Sequence, residues 1–305
     1  MDEIDMKIIT LLLVNSRLSY REISSYLGLS VNAVYKRVQI LIELDVIHKF
    51  TARINPYAVN AIYTLIFGES KAENINLVAS KLGEHENTYN IILSSRNYLY
   101  IGALLKNIHE LDDYSSFVSQ TAEIQNPSVG LLHGVYYSSP KRYNVPISRT
   151  MSTNLDKLDI EIIRSLNRDS RKPISEVADD INSTSNTVRR RLNRMIKEGL
   201  IELSIQFNPV SSSDIFALLQ LSLSHSSNKE EVAQFIADNY QPNIFFCWAF
   251  SNLPNLLLSY TWCNNMNELN NIIQRLKKEK MESVIADVLL KGLFYDTWKE
   301  KMLYE

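Results

Sequence analysis

IDMKIITLLLVNSRLSYREISSYLGLSVNAVYKRVQILIELDVI, residues 4–47, lies without a gap over LDIEIIRSLNRDSRKPISEVADDINSTSNTVRRRLNRMIKEGLI, residues 158–201. Similarity at a constant offset marks a duplicated module. Apolar positions recur, Ile8 with Ile162, Ile9 with Ile163, Leu12 with Leu166 and Val34 with Val188. Polar positions recur as well: Asp5 with Asp159, Arg17 with Arg171, Glu22 with Glu176 and Arg37 with Arg191. One residue of slippage later, Asn55-Pro56 matches Asn208-Pro209. Between the copies, SSPKRYNVPISRTMSTNL at 138–155 has the Pro, Ser and Asn content of a linker. The chain therefore divides into two halves, each of about 140–150 residues, an ordinary domain size.

Each copy carries apolar residues three and four apart, as in Ile4, Ile8, Leu11 and Leu12, the period of an amphipathic helix. Three helices are expected in the first copy, at 3–14, 20–27 and 30–44, with Ser30 as a good N-cap, and three in the second, at 157–168, 174–181 and 184–198. Gly28 and Asn182 occupy the matching turn, and these residue types best tolerate the left-handed conformation that closes a helix. A supporting helix, a short helix, a tight turn and a third helix make a helix-turn-helix, whose last helix can enter a DNA major groove. The extended segments 46–54 and 200–207 would supply a two-stranded wing.

Any small three-helix bundle has this pattern, so the surface of the third helix decides. With Val34, Val38 and Leu41 directed inward, Asn32, Tyr35, Lys36 and Gln39 form a short polar face able to meet base edges and phosphates. In the second copy Val188, Leu192 and Met195 point inward, and Asn186, Thr187, Arg189, Arg190, Asn193 and Arg194 form a far more basic face. The second module is expected to contribute more affinity. Arg37 and Arg191 lie beside the buried stripe, where an ion pair within the module and a DNA contact are equally good readings.

After each module the order becomes β-α-β-β-α-β. Strands are expected at 61–68, 88–95, 98–105 and 128–137 with helices at 72–82 and 108–122. The second half repeats them at 215–224, 243–250, 255–262 and 284–294 with helices at 228–238 and 265–279, and adds a last helix at 296–304. This is the ferredoxin-like split motif, an antiparallel sheet with both helices on one face. YLYIGALL and NLLLSYTW are apolar on both alternating sets, so the helix-free face is expected to pack against a second sheet. The fold class is α+β, with an intrachain pseudo-dimer of winged helix-turn-helix plus ferredoxin-like modules. The expected divisions are 1–55, 56–138, a linker at 139–155, 156–209 and 210–305.

Composition narrows the function. Of the 305 residues 45% are hydrophobic, and 32 Lys+Arg against 34 Asp+Glu leave a net charge of -2, so a nucleic-acid site has to be a local patch. The 8 glycines cannot assemble G-x-x-x-x-G-K or G-x-G-x-x-G, which removes the two commonest phosphate-cradling loops. Cys247 and Cys263 are too few for a disulfide framework and have no metal-site spacing, so they read as buried structural thiols. His48, His85, His109, His133 and His225 do not recur between the halves. No cofactor and no metal are expected. The acidic start Met-Asp-Glu-Ile-Asp and apolar runs far shorter than a bilayer span predict a cytoplasmic protein without membrane contact.

The stretches D-x-x-I-I-x-x-L, S-R-x-x-x-x-E-I/V and S/T-x-N-x-V-x-x-R, followed by a wing, Asn-Pro and a β-α-β-β-α-β domain, resemble the Lrp/AsnC, or feast/famine, family of bacterial and archaeal transcription regulators. The resemblance spans nearly the whole chain twice. It implies double-stranded DNA as partner, dimerisation through the sheets, and in many members an amino-acid effector at the subunit interface. With both protomers fused, VNAVYKRVQ and NTVRRRLNR could read non-identical half-sites. The family commonly has a Gly and an acidic residue in the turn between the second and third strands of the regulatory domain. This chain has Ser95-Arg96-Asn97-Tyr98 and Asn252-Leu253-Pro254-Asn255 there, so a different small-molecule effector or none fits equally, and no effector residues are assigned. Further homo-oligomerisation, through the last helix or sheet edges, stays open. Two alternatives stand beside the regulator: an enzyme similar to the siroheme decarboxylases, which share this architecture, and a protein-interaction module.

Overall fold

A computed structural model describes residues 1–137, 155–279 and 281–304. The expected linker at 139–155 lies outside them except for Leu155. In the first half, α1 (Glu3–Val14), α2 (Tyr20–Leu27), α3 (Val31–Glu43) and β1 (Ile47–Ile54) precede β2 (Ile62–Glu69), α4 (Ile75–Gly83), β3 (Thr88–Ser94), β4 (Tyr98–Leu105), α5 (Glu110–Thr121) and β5 (Ser128–Tyr137). The second half repeats the order. It comprises α6 (Lys157–Asn167), α7 (Ile174–Asp180), α8 (Ser185–Lys197), β6 (Ile201–Phe207), β7 (Ile215–Leu223), α9 (Lys229–Asn239), β8 (Ile244–Phe250), β9 (Leu256–Cys263), α10 (Met266–Leu276), β10 (Met281–Phe294) and a single turn, α11 (Trp298–Lys301). The chain is α+β and forms an intrachain pseudo-dimer. Its described residues fall into two compact units, one holding both helix-turn-helix modules and the other both ferredoxin-like domains.

In the first unit each wing strand finds its partner in the other copy. β1 and β6 pair antiparallel, Phe50 opposite Ile205 and Ala52 opposite Leu203. The one-residue slippage between the copies falls at the irregularity between Ile47 and Lys49. Ala52 and Ile54 of β1 join the buried core formed by Ile162, Ile163, Leu166, Val188 and Met195 of the second module. The second module therefore does not complete its core from its own half.

The expected packing of one sheet against another is replaced by closure. The eight remaining strands form one barrel in the order β10-β3-β4-β2-β5-β8-β9-β7. Each domain keeps the ferredoxin-like strand order, and its last strand crosses to the second strand of the other domain, β5 to β8 and β10 to β3. Closure removes the sheet edges that two separate domains would expose. Helices cover the outside: Val78, Leu82, Tyr114 and Val118 pack on Ile66, Ile91, Ile101 and Leu105, and Ala233, Ile236, Leu269 and Ile272 on Leu219, Leu221, Ala249 and Leu257. The opposite strand faces turn large rings inward, Phe216, Phe245, Phe246 and Tyr260 lying 5.0–6.4 Å apart by ring centroid. Gly130 permits the crossing at β5, since a Cβ there would sit 2.5 Å from the Phe250 ring. Cys247 and Cys263 are buried free thiols, and burial pushes both up to about 12, which keeps them protonated and inert.

The C-terminus departs from expectation. Instead of a helix over 296–304 on the second ferredoxin-like domain, the residues from Trp298 onward belong to the helix-turn-helix unit. Leu303 is buried in the second module's core, and the Lys299 ammonium donates to the Ile54 carbonyl at 2.7 Å. Lys299 and Leu303 are each 1% exposed, while Tyr304 beside them is exposed. Among the described residues no helix is long and apolar enough to cross a membrane.

Candidate nucleic-acid interface

Local chemistry sets each third helix. Ser19 and Glu22 form a capping box at the start of α2, and Gly28, at φ 67°, closes that helix in the left-handed region. The Ser30 hydroxyl then accepts from the Ala33 amide at 3.1 Å and starts α3. The second copy reaches the same geometry with Asn182 at φ 50° and the Thr184 hydroxyl accepting from the Thr187 amide at 3.2 Å. Val34, Val38, Leu41, Val188, Leu192 and Met195 are all buried, so the face that each helix turns outward is the expected one.

On α3, Asn32, Tyr35 and Lys36 are exposed and Gln39 is half-buried. Tyr35 is held edge to face against Tyr20, ring centroids 5.5 Å apart. On α8, Asn186, Arg189, Arg190 and Asn193 are exposed. Two expected members of that face are engaged inside the module. The Thr187 hydroxyl lies 3.0 Å from the Thr184 hydroxyl, and Arg194 donates to the buried Asp159 carboxylate. Arg189 and Arg190 are thus the fully outward cations of the expected face, while Arg194 is partly exposed and shared with Asp159.

Arg37 and Arg191 make ion pairs within their modules. Arg37 Nη1 meets Asp5 at 2.7 Å and Asp2 at 2.8 Å, and Arg191 Nη1 meets Asp156 at 2.6 Å and Asp159 at 3.0 Å. These four acids are the capping boxes that start α1 and α6, so one pair of carboxylates both begins the first helix and anchors the third. The repeat contained the signal, because Asp5 with Asp159 and Arg37 with Arg191 recur together. Replacing Asp159, which is 0% exposed, by Ala removes charge-assisted bonds to two arginines that can turn to solvent. It should lower stability by about 2 kcal/mol in urea unfolding.

Arg191 also holds the Asp156 carboxyl below its ordinary 3.8, by hydrogen bond first and charge second. A carboxyl depressed on folding contributes stability that is present above its unfolded pKa and lost as the pH falls through the folded one. Urea midpoints should therefore begin to drop below about pH 5 and keep falling as the pH passes below the unfolded value and through the lowered folded one, and Arg191→Gln should reduce that acid sensitivity.

A reciprocal exchange fixes the two modules on each other. Arg17 Nη1 donates to the Ser170 and Lys172 carbonyls at 2.6 and 3.1 Å, and Arg171 donates to the Ser16 and Leu18 carbonyls at 2.7 and 2.8 Å. Between them the Ser16 and Ser170 hydroxyls meet at 2.6 Å. Arg17 and Arg171 were visible as a repeated pair, but the loop each would reach is a long-range fact. They tie the α1–α2 turn of one module to the α6–α7 turn of the other.

In the barrel, the β3–β4 turn places Arg96 at φ 72°, in the left-handed region. Its guanidinium donates to Asp287, a carboxylate that also accepts from Tyr100 at 2.6 Å and Gln220 at 3.0 Å. Burial first, and the Asp287 carboxylate second, drive the Tyr100 pKa far upward, so its hydroxyl stays a donor. By strand register the matching positions in the other half are Leu258, Phe67 and Gly130, so the cluster exists once among the described residues.

Two helix-turn-helix readers on a shared ribbon, together with a regulatory-type pair of ferredoxin-like domains, define the class. Residues 1–42 match the AsnC-type helix-turn-helix domain, and residues 155–202 match a winged helix-turn-helix DNA-binding domain. The transcriptional regulator FL11 of Pyrococcus furiosus is 32% identical over 127 residues, 41% of this chain and 84% of that protein. The regulator LrpA of Pyrococcus horikoshii is 35% identical over 104 residues, 34% of this chain and 74% of that one. The chain belongs to the Lrp/AsnC family, with its module duplicated. Over its full length it is also similar in fold to the siroheme decarboxylase NirDL, with TM-score 0.62, 13% identity, and coverage of 99% of this chain and 96% of that one.

Proposed function

We propose that the protein is a sequence-specific, double-stranded DNA-binding transcription regulator whose two readers take non-identical half-sites. The observation that carries this reading is the contrast between matched exposed positions. Where α8 presents Arg189 and Arg190, α3 presents Tyr35 and Lys36. Guanidinium groups favour guanine edges and phosphates, whereas a tyrosine ring favours apolar contact such as a thymine methyl. Asn32, Asn186 and Asn193 add amide groups suited to adenine edges. Selection of bound sequences from a random duplex library should yield an asymmetric site, and binding should weaken steeply with salt. Enrichment of a symmetric palindrome would sink the assignment of distinct half-sites.

The likeness of fold to a siroheme decarboxylase favours a second reading, an enzyme acting on a tetrapyrrole. Against it stand the engagements of Arg96 and of four of the five histidines, while the fifth, His109, is exposed at the start of α5. Arg96 is paired with Asp287, His48 with Asp45 at 2.7 Å, His133 with Glu230 at 3.1 Å and His225 with Asn255 at 2.7 Å. His85 packs between Tyr114 and Phe117, with burial lowering its pKa. Titration with an iron tetrapyrrole should leave the Soret band of the free ligand unchanged. A saturable shift would move the function to the barrel.

A further inference from the structure

Arg171 and Arg17 make matching backbone contacts, but their surroundings differ. The Arg171 guanidinium lies 4.8 Å from the Tyr20 ring centroid and 4.4 Å from that of Phe50, and Tyr35 closes on Tyr20. The residues matched to Tyr20, Phe50 and Tyr35 around Arg17 are Ile174, Leu203 and Arg189. Backbone bonds support the match: the Ser16 amide donates to the Leu203 carbonyl at 3.0 Å, and the Ser170 amide to the Phe50 carbonyl at 3.2 Å. Three rings that fill one copy are thus absent from the other. In their place is an open cavity of about 290 Å³, lined among others by Asn15, Arg17, Ile174, Arg189, Asn193 and Leu203.

The cavity's chemistry is specific. Two arginines line it and, among the described residues, no acidic one does, and Asn15 stands where the other copy has Asp169. Arg17 is half-buried, and burial lowers its pKa against the partial opposition of the Asp169 carboxylate, so a compact anion in the cavity would offset the rest of that desolvation. At the positions where Arg171 meets rings, Arg17 has the aliphatic Ile174 and Leu203, which line the cavity with it. An aromatic ring of a ligand would restore the stacking that Tyr20 and Phe50 supply to Arg171, and a carboxylate on that ring would reach a second guanidinium. The mixture of apolar walls with a few convergent polar groups is that of a small-molecule site.

We propose that this cavity binds a small planar aromatic carboxylate, its ring on Arg17 between Ile174 and Leu203 and its carboxylate on Arg189. Occupancy withdraws Arg189 from the DNA face of α8, so the ligand antagonises DNA binding by the second reader. The antagonism rests on the regulator reading above, while the binding does not.

The test is calorimetric titration of the full chain with benzoate and indole-3-carboxylate, alongside cyclohexanecarboxylate, which has the charge without the ring, and benzamide, which has the ring without the charge. One aromatic carboxylate should bind per chain, and both controls should bind about tenfold more weakly or worse. Ile174→Tyr with Leu203→Phe copies the filled half and should abolish binding while leaving ligand-free DNA affinity unchanged. Leu203→Phe alone serves if the double variant does not fold. No heat with either aromatic carboxylate at about 10 mM, or undiminished binding in a folded filled variant, overturns the site. Saturating ligand should lower affinity for the selected duplex about tenfold in the wild type and not in the filled variant. Ligand binding with unchanged DNA affinity overturns the antagonism. A chain that binds ligand but selects no duplex refutes the regulator reading and leaves the site standing.

Discussion

Replacing Arg189 and Arg190 together by alanine will lower affinity for the selected duplex about a hundredfold without changing the unfolding midpoint. Both side chains are exposed on α8, and neither is among the arginines that anchor the helix to Asp156 and Asp159. Each guanidinium taken away from a phosphate also removes about one released counterion, so the slope of log affinity against log salt should fall by about two if both residues touch phosphate. A base contact to guanine would leave the slope and erase preference at one position instead. The comparison that gives this result meaning is Tyr35→Ala with Lys36→Ala on α3, where about a tenfold loss is expected from a single charge and one apolar contact. Anisotropy titrations at two salt concentrations measure all of these, and equal losses from the two helices would refute the unequal division of affinity.

Arg96→Ala will destabilise the barrel by about 3 kcal/mol, because it leaves a buried carboxylate without its cation. Asp287 is 0% exposed, while the Arg96 side chain that serves it is 60% exposed, so removal of the arginine creates no cavity and acts through charge alone. Tyr100 and Gln220 still donate to the carboxylate and limit the loss. Arg96→Gly should be about 1 kcal/mol less damaging than Arg96→Ala, since φ 72° strains any residue with a Cβ. Asp287→Asn in the Arg96→Ala background should recover part of the loss, and a double-mutant cycle in urea gives the coupling energy. A change within about 0.5 kcal/mol for Arg96→Ala would mean that Tyr100 and Gln220 hold the carboxylate by themselves.

The unequal legibility of these two sites has a physical origin. The readers of α3 and α8 stand on short-range chemistry: an N-cap hydroxyl, a left-handed turn residue and an apolar stripe at helical spacing are all written within a few helical turns. Ser30, Gly28 and Asn182 could therefore be placed from the chain alone. Arg194 could not, because the same helical position serves either a base edge or Asp159, and distance alone decides between them. Asp287 gave no signal as a site residue. It is one polar residue in a strand, and its partners Arg96, Tyr100 and Gln220 lie on three other segments.

Duplication, the two halves, most helices to within a few residues and the ferredoxin-like order of elements were legible in the chain, since each follows from periodicity and caps that operate over a few turns, whereas the helix expected at 296–304 shrinks to the single turn Trp298–Lys301. Which edges meet was settled in three dimensions: β1 with β6, β5 with β8 and β10 with β3. Backbone donors and acceptors are the same on every strand, so an edge carries no address, and only the closure of the whole sheet and the burial of both apolar faces select the partner. The filled and open arginine slots belong to both levels. Tyr20, Phe50 and Tyr35 against Ile174, Leu203 and Arg189 can be tabulated from the repeat, but only the exchange of Arg17 and Arg171 between the modules brings each set around a single guanidinium.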